Sequence, residues 1–128
     1  MKILLAEDEE SILQIMAKKV AAAGYMVVTA ADGQEAWEKI NSDNPDIVIL
    51  DLTMPRMSGW EVLQKLRANP PSPKWQPVII VSALSEVQNL QEGFDLKADH
   101  YLTKPCRIEE ILQAIRLMAA LIPMRNNF

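Results

Sequence analysis

Residues 47–55 have the sequence IVILDLTMP, in which a run of four apolar residues is followed by the carboxylate of Asp51. A short apolar run of this kind predicts a strand that is buried on both faces of a parallel sheet. Polar residues that follow such strands lie at the edge where open α/β sheets bind their ligands. Asp51 is therefore the first candidate for a functional side chain.

Other apolar runs are also followed by residues with reactive or metal-binding side chains. These residues are Glu7 and Asp8 after residues 3–6, Ser82 after residues 78–81, and Lys104 after residues 101–103. Two acids, a hydroxyl and an amine thus join Asp51 at the predicted ends of strands. We expect them to form one site, assembled from parts that are far apart in the sequence.

The periodicity of apolar residues alternates between strand and helix along the whole chain. We predict strands at residues 2–6, 26–30, 47–50, 78–81 and 99–103, and helices at 11–23, 34–41, 60–68, 85–94 and 108–121. This alternation predicts an α/β fold, a doubly wound five-stranded parallel sheet with five helices. The flavodoxin-like strand order 2-1-3-4-5 is chosen because it brings the polar strand ends together. We take residues 1–121 as one domain and residues 122–128 as a C-terminal tail or the start of a linker.

The composition narrows the class of protein. A chain of 128 residues fits one domain, and its net charge of −4 argues against direct nucleic-acid binding, which needs a basic surface. A single cysteine, Cys106, excludes an intrachain disulfide and fits a reducing compartment. No apolar run approaches the length of a membrane span. We expect a cytoplasmic protein that binds neither membranes nor nucleic acid.

The three acids predict a metal site. Two carboxylates about 4 Å apart repel each other by roughly 4 kcal/mol at an effective dielectric near 20, so a proton or a cation must compensate the cluster of Glu7, Asp8 and Asp51. An all-oxygen ligand set favours Mg²⁺, with Mn²⁺ as the alternative. A carboxylate can also act as a nucleophile and become an aspartyl phosphate. Each residue alone also fits a structural role, such as a helix cap for Ser82.

Four motifs, taken in this order, resemble the receiver domain of bacterial two-component response regulators over about residues 2–120. The motifs are Glu7-Asp8, Asp51-Leu52-Thr53-Met54-Pro55 with Ser58-Gly59, Val81-Ser82-Ala83, and Tyr101-Leu102-Thr103-Lys104-Pro105. Each motif alone is weak evidence for the family, whereas all four together, in this order and at the right strand ends, are specific. The Pro-rich stretch 69–77, which contains Trp75, has no counterpart to which we can assign a role.

The resemblance implies a role for each residue of the cluster. Asp51 would accept a phosphoryl group from a phosphohistidine of a sensor histidine kinase or a histidine phosphotransfer domain. Asp8 would bind Mg²⁺ directly, Glu7 would help through water, and Asp51 and the backbone carbonyl of Thr53 would complete the protein ligands. Lys104 would pair with the phosphoryl group.

The resemblance also implies a conformational switch. Ser82 would move toward the phosphoryl group, and Tyr101 would follow by turning inward. This change would alter the face formed by the fourth helix, the fifth strand and the fifth helix, and so control an output protein or domain. Homodimerisation on phosphorylation is a further option. The Lys104–Pro105 peptide bond would be cis, as in the family.

Two other functions remain open at this point. One is a receiver-like interaction module that works without phosphorylation, although the presence of all the acidic, hydroxyl and lysine residues argues against it. The other is a small Mg²⁺-dependent aspartyl-phosphate phosphatase, in which a second Asp follows the nucleophile after one residue; here Thr53 occupies that position. We favour a phosphoacceptor signalling domain that assists its own phosphorylation and dephosphorylation and is not an enzyme acting on free metabolites.

Overall fold

The structure, a computed structural model, describes residues 1–83, 85 and 98–126. Its elements are β1 (Lys2–Ala6), α1 (Glu10–Ala22), β2 (Met26–Ala30), α2 (Gly33–Asp43), β3 (Ile47–Leu50), α3 (Gly59–Ala68), β4 (Val78–Ala83), β5 (His100–Lys104) and α4 (Ile108–Asn126). The helix predicted for residues 85–94 falls, apart from Ser85, outside the described residues.

The strands form one parallel sheet in the order β2-β1-β3-β4-β5, which confirms the predicted fold class and strand order. The register places strand ends level with one another, because Ala6 at the end of β1 pairs with both Ala30 of β2 and Leu50 of β3. The next residues along β1 and β3 are Glu7 and Asp51. The two acids therefore leave the sheet side by side.

The central strand β3 is buried on both faces, as its apolar sequence predicts. Val48 and Leu50 belong to the core beneath α2 and α3, whereas Ile47 and Ile49 belong to the core beneath α1 and α4. Each of these four side chains is at most 1% exposed. Burial of one such side chain contributes about 1.5–3 kcal/mol, so the strand that carries Asp51 is held firmly from both sides.

Two helices begin next to the carboxyl edge of the sheet with side-chain caps. The Asp32 carboxylate accepts a hydrogen bond from the N–H of Glu35 at 2.8 Å and caps α2. The Ser58 hydroxyl accepts one from the N–H of Glu61 at 3.2 Å and caps α3. Such caps satisfy backbone donors that the first turn of a helix leaves free, and they fix where each helix begins.

The last helix is longer than predicted, since α4 continues beyond residue 121 to Asn126 with Pro123 inside it. Contacts with the Pro-rich stretch support this extension. The N–H of Trp75 donates to Asn126 Oδ1 at 2.8 Å, and the Arg125 guanidinium lies 4.1 Å from the centroid of the Trp75 ring. The assignment of residues 122–128 to a tail or linker stays a prediction. Neither α4 nor any other helix in the described ranges combines the length and apolarity needed to cross a membrane.

Candidate functional site

Asp51 lies at the end of β3 and is held by backbone and side-chain contacts. Its N–H donates to the carbonyl of Ala6 at 3.2 Å, which extends the pairing of β1 and β3 by one residue. Its Oδ1 accepts a hydrogen bond from the N–H of Thr53 at 3.2 Å, and its Oδ2 lies 2.6 Å from Lys104 Nζ. Asp51 is only 5% exposed, and these partners fix the orientation of its carboxylate.

The end of β1 brings two more acids to Asp51. Glu7 is buried, its N–H donates to the carbonyl of Ala30 at 3.1 Å, and its Oε1 accepts from the N–H of Glu9 at 3.3 Å. Asp8 is exposed. One carboxylate oxygen from each of Glu7, Asp8 and Asp51 can be chosen so that all three lie within 4.8 Å of one another. The predicted acidic residues therefore form one cluster.

Lys104 supplies the cation of the cluster. Its Nζ lies 2.6 Å from Asp51 Oδ2 and 3.2 Å from Glu7 Oε2, so one ammonium group bridges two buried carboxylates. Burial lowers the pKa of Lys104, but the hydrogen bonds and charges of Asp51 and Glu7 outweigh burial, and the pKa is raised above its ordinary value of 10.5. The Lys104–Pro105 peptide bond is cis, as predicted.

The four ionisable groups of the cluster, Glu7, Asp8, Asp51 and Lys104, carry an excess of formal negative charge. Burial raises the pKa of Glu7 above its ordinary value of 4.5, and the hydrogen bond with Asp51 and the charge of Asp51 raise it further, against the opposing effect of Lys104. With all four groups ionised, three carboxylates and one ammonium leave a formal charge of about −2, which favours a bound cation. The oxygen-only ligand set suits Mg²⁺. The N–H of Thr53 bonds to Asp51, so the backbone of Thr53 also lies beside the cluster.

Ser82 and Tyr101 lie on the same face of the sheet, the one beneath α2 and α3. Ser82 is fully buried and pairs in register with Thr103, while Tyr101 pairs with Ile80 and packs against the core beneath α2 and α3. The Tyr101 hydroxyl is buried near the backbone of Ala98 but makes no hydrogen bond of normal geometry with a described residue. Burial raises the pKa of this phenol above its ordinary value of 10.

Gly59 is a site residue whose role the sequence did not reveal. Its N–H donates to the carbonyl of Leu52 at 2.9 Å, and a Cβ atom built on Gly59 would lie only 2.0 Å from the backbone oxygen of Asp51. The start of α3 therefore approaches the backbone of Asp51 more closely than any side chain would allow. The glycine within the Ser58-Gly59 motif marked the position, but only the packing supplies the reason.

A cleft of about 350 Å³ opens beside the cluster on the α1 side of the sheet. Asp51 and Lys104 line its polar part. Apolar side chains, including Ile12 and Ile15 of α1 and Ile108 of α4, line the rest. Ile12 and Ile15 are 38% and 55% exposed, so the cleft presents an apolar surface to solvent next to the acidic cluster.

The sequence matches the family model described as "Response regulator receiver domain" over residues 3–116. The chain belongs to the response regulator receiver domain family. Receiver domains bind Mg²⁺ in an acidic pocket, and the cluster of Glu7, Asp8 and Asp51 provides such a pocket in this one.

Individual relatives agree with this assignment. The receiver domain is 38% identical over 115 residues to the "Probable transcriptional regulator ycf27" of Guillardia theta, an alignment that covers 90% of this chain and 44% of that protein. It is 35% identical to the receiver domain of the Francisella response regulator 1452, with a TM-score of 0.82 and coverage of 93% and 96% of the two chains. It is 31% identical to the response regulator TrrA of Thermotoga maritima, with a TM-score of 0.77 and coverage of 91% and 97%. The chain spans about half the length of the curated relatives it matches.

Proposed function

We propose that this receiver domain is a phosphorylation-switched signalling module in which Asp51 accepts a phosphoryl group from a phosphohistidine. One observation carries the proposal: a buried carboxylate at a strand end lies 2.6 Å from a lysine and within 4.8 Å of two further carboxylates. This arrangement combines a nucleophile, a fixed cation and a site for a divalent metal. Phosphoryl transfer needs mainly positioning and neutralisation of charge, and these groups supply both.

In the proposed reaction, a carboxylate oxygen of Asp51 forms a bond to phosphorus while the bond from phosphorus to the donor imidazole nitrogen breaks. The imidazole keeps the electron pair and takes up a proton from solvent. Asp51 changes from a carboxylate of charge −1 to an acyl phosphate of about −2. Lys104, already 2.6 Å from Asp51, is placed to pair with the new phosphoryl oxygens.

The added charge explains why the reaction should need a divalent metal. Phosphorylation would take the formal charge of the cluster from about −2 to about −3, which Lys104 alone cannot compensate. Mg²⁺ would neutralise charge on the phosphoryl oxygens, held by Asp8, Asp51 and the Thr53 carbonyl, with Glu7 acting through water. The related response regulator TrrA has been solved in complex with Mg(2+)-BeF, which supports the proposal that this domain binds Mg²⁺.

The switch would pass from the phosphoryl group to Tyr101 by way of Ser82. The two side chains lie on the same face of the sheet, because Ser82 follows Ile80 by two residues along β4 and Ile80 pairs with Tyr101. The Tyr101 ring is half-buried, and its hydroxyl is buried without a normal hydrogen bond to a described residue. Because the two residues share this face of the sheet, a shift of Ser82 would change the packing around Tyr101.

The cleft beside α1 is the surface we propose for the phosphodonor. A sensor histidine kinase or a phosphotransfer domain must bring an imidazole to within bonding distance of Asp51. The exposed apolar side chains of Ile12 and Ile15 can bury against an apolar helix face of such a partner, while Asp51 and Lys104 lie at the end of the same cleft. Replacement of Ile15 by Asp should slow transfer from the kinase without slowing transfer from a small phosphodonor.

The output is also a proposal. The related ycf27 protein is named a transcriptional regulator, and the chain covers less than half of it, so an output domain or a separate output protein would read the phosphorylated state. We expect the receiver domain itself to act in the cytoplasm by protein contact, with homodimerisation on phosphorylation as one way to transmit the signal. It would turn over no free metabolite.

Phosphorylation can be tested with acetyl phosphate and intact-mass spectrometry. The wild-type chain should gain the mass of one phosphoryl group in the presence of Mg²⁺ and should gain none in EDTA. Asp51→Asn should abolish the gain, whereas Asp46→Asn, which changes an exposed aspartate before β3, should leave it intact. No gain in the wild-type chain would favour an interaction module that works without phosphorylation. An undiminished gain in Asp51→Asn would exclude Asp51 as the acceptor.

A further inference from the structure

The loop between β3 and α3, residues 52–58, rests on the start of α2, and we call it the phosphoacceptor loop. It contacts α2 at two points. The Nε atom of Arg56 lies 3.5 Å from Asp32 Oδ2. The carbonyl of Met57 lies over Gly33, so close that a Cβ atom at position 33 would be 1.7 Å from the Met57 oxygen. Only a glycine can occupy position 33 while the loop keeps its observed conformation.

The phosphoacceptor loop holds a conformation that needs such support. Arg56 has a φ of 67°, in the left-handed region that non-glycine residues rarely adopt. The side chains of Met54 and Met57 are buried in the core beneath α2 and α3, and the N–H of Met57 donates to the carbonyl of Pro55 at 2.8 Å. A residue in this region costs about 1–3 kcal/mol and persists only where its surroundings fix it. The start of α2 is part of those surroundings.

We propose that Asp32 and Gly33 are positioning residues that hold the phosphoacceptor loop in the shape required for metal binding at Asp51. The inference rests on the proposed function. The Asp32 carboxylate serves two partners, because Oδ1 caps α2 and Oδ2 pairs with Arg56. Gly33 lets the Met57 carbonyl approach the helix directly. Together they hold the loop at Arg56 and Met57, and so restrict Thr53 in the same loop, whose N–H donates to Asp51 Oδ1.

The test is a Mg²⁺ titration of the purified chain followed by NMR, which needs no phosphodonor. In Gly33→Ala the Met57 carbonyl must move by more than about 1 Å, and displaced supporting groups typically weaken metal binding about 10–100-fold, so at least about tenfold weaker Mg²⁺ binding is expected. Asp32→Ser keeps a capping hydroxyl but removes the partner of Arg56, and should weaken Mg²⁺ binding by up to about fivefold. Ile40→Val, buried later in α2, is the control for stability alone.

The outcomes separate the two proposals. Wild-type affinity for Mg²⁺ in both folded variants, Gly33→Ala and Asp32→Ser, would overturn the positioning role while leaving the proposed function in place. If Gly33→Ala does not fold, Asp32→Ser decides alone. If the Ile40→Val control loses as much Mg²⁺ affinity as Gly33→Ala and Asp32→Ser, the positioning role is also overturned, because reduced stability would then explain the weaker binding. Failure of the wild-type chain to bind Mg²⁺, or unchanged binding in Asp51→Asn, would instead count against the proposed function.

Discussion

Replacement of Lys104 by Met tests the electrostatics of the site most directly. The Lys104 ammonium lies 2.6 Å from Asp51 and 3.2 Å from Glu7, which at an effective dielectric of 20 corresponds to gross attractions of roughly 6 and 5 kcal/mol. These gross values are far above any net effect. The Lys104 side chain is 37% exposed, and water screens it, whereas its two partners are buried.

The net cost of Lys104→Met should lie between two limits. Exposed ion pairs contribute about 0.2–1 kcal/mol, and removal of one partner of a fully buried pair costs about 3–5 kcal/mol. Lys104 is a partly exposed cation that contacts two buried carboxylates, so the cost of removing it should fall between these limits. We expect the free energy of unfolding to drop by about 1–3 kcal/mol at pH 8 without metal. Because the pKa of Lys104 is raised above 10.5, its stabilising charge is fully present at pH 8 and is lost only at higher pH, as the group deprotonates in the folded state.

Bound Mg²⁺ should reduce the stability that Lys104→Met loses. A bound divalent cation compensates the same carboxylates, and Lys104 competes with it for them. Lys104→Met should therefore bind Mg²⁺ more tightly than the wild-type chain, and saturating Mg²⁺ should recover most of the lost stability. Urea unfolding at pH 8, in EDTA and in Mg²⁺, measures both effects.

Lys39→Met is the matched control. Lys39 is 33% exposed, its Nζ lies 3.0 Å from Glu35, a carboxylate that is itself 39% exposed, and it also donates a hydrogen bond to the backbone carbonyl of Thr29. The control should lose less stability than Lys104→Met, and its loss should not depend on Mg²⁺. Equal losses in the two variants, or a Lys104→Met loss that Mg²⁺ leaves unchanged, would refute the electrostatic account of the site.

Three further predictions concern packing, pH and the last helix. Gly59→Ala would place a Cβ atom 2.0 Å from the backbone oxygen of Asp51, so it should lower the free energy of unfolding by about 1–3 kcal/mol and slow phosphorylation. A wild-type melting temperature together with a wild-type phosphorylation rate would contradict this prediction. Because the folded pKa of Glu7 is raised above 4.5, its protonated form favours folding, and this contribution is lost as pH rises through the raised pKa. The affinity for Mg²⁺ should rise over the same pH range, because the proton that competes with the metal at Glu7 is lost. Glu7→Gln should flatten this rise, and an unchanged dependence of Mg²⁺ affinity on pH in that variant would argue against competition at Glu7. Trp75→Ala should speed amide exchange at residues 122–126, because it removes the ring that contacts Arg125, whereas Trp60→Ala should not; equal exchange in the two variants would count against this support of α4.

The sequence by itself predicted the fold class and the polar residues that meet at the ends of the strands. The run before Asp51 predicted a strand buried on both faces, because all four of its side chains are apolar and β-branched residues dominate it. Right-handed connections between parallel strands then leave few orders, and they bring the carboxyl ends of the strands to one edge. The order 2-1-3-4-5 was chosen among them because it gathers the polar strand ends at one edge, and the structure has this order, with Glu7, Asp8 and Asp51 clustered and Lys104 beside Asp51.

Only the tertiary structure decided features that depend on contacts between distant segments. The end of α4 was wrong in the sequence prediction, because residues 122–128 show no clear apolar pattern and the contacts of Trp75 with Arg125 and Asn126 become evident only in three dimensions. The reasons for Gly33 and Gly59 are likewise tertiary. A glycine in a sequence shows that a side chain is absent, but only packing shows which backbone oxygen fills the space: that of Met57 over Gly33, and that of Asp51 over Gly59. The sequence therefore determines which groups meet at the edge of the sheet, and the packing of loops against helix starts determines how firmly they are held.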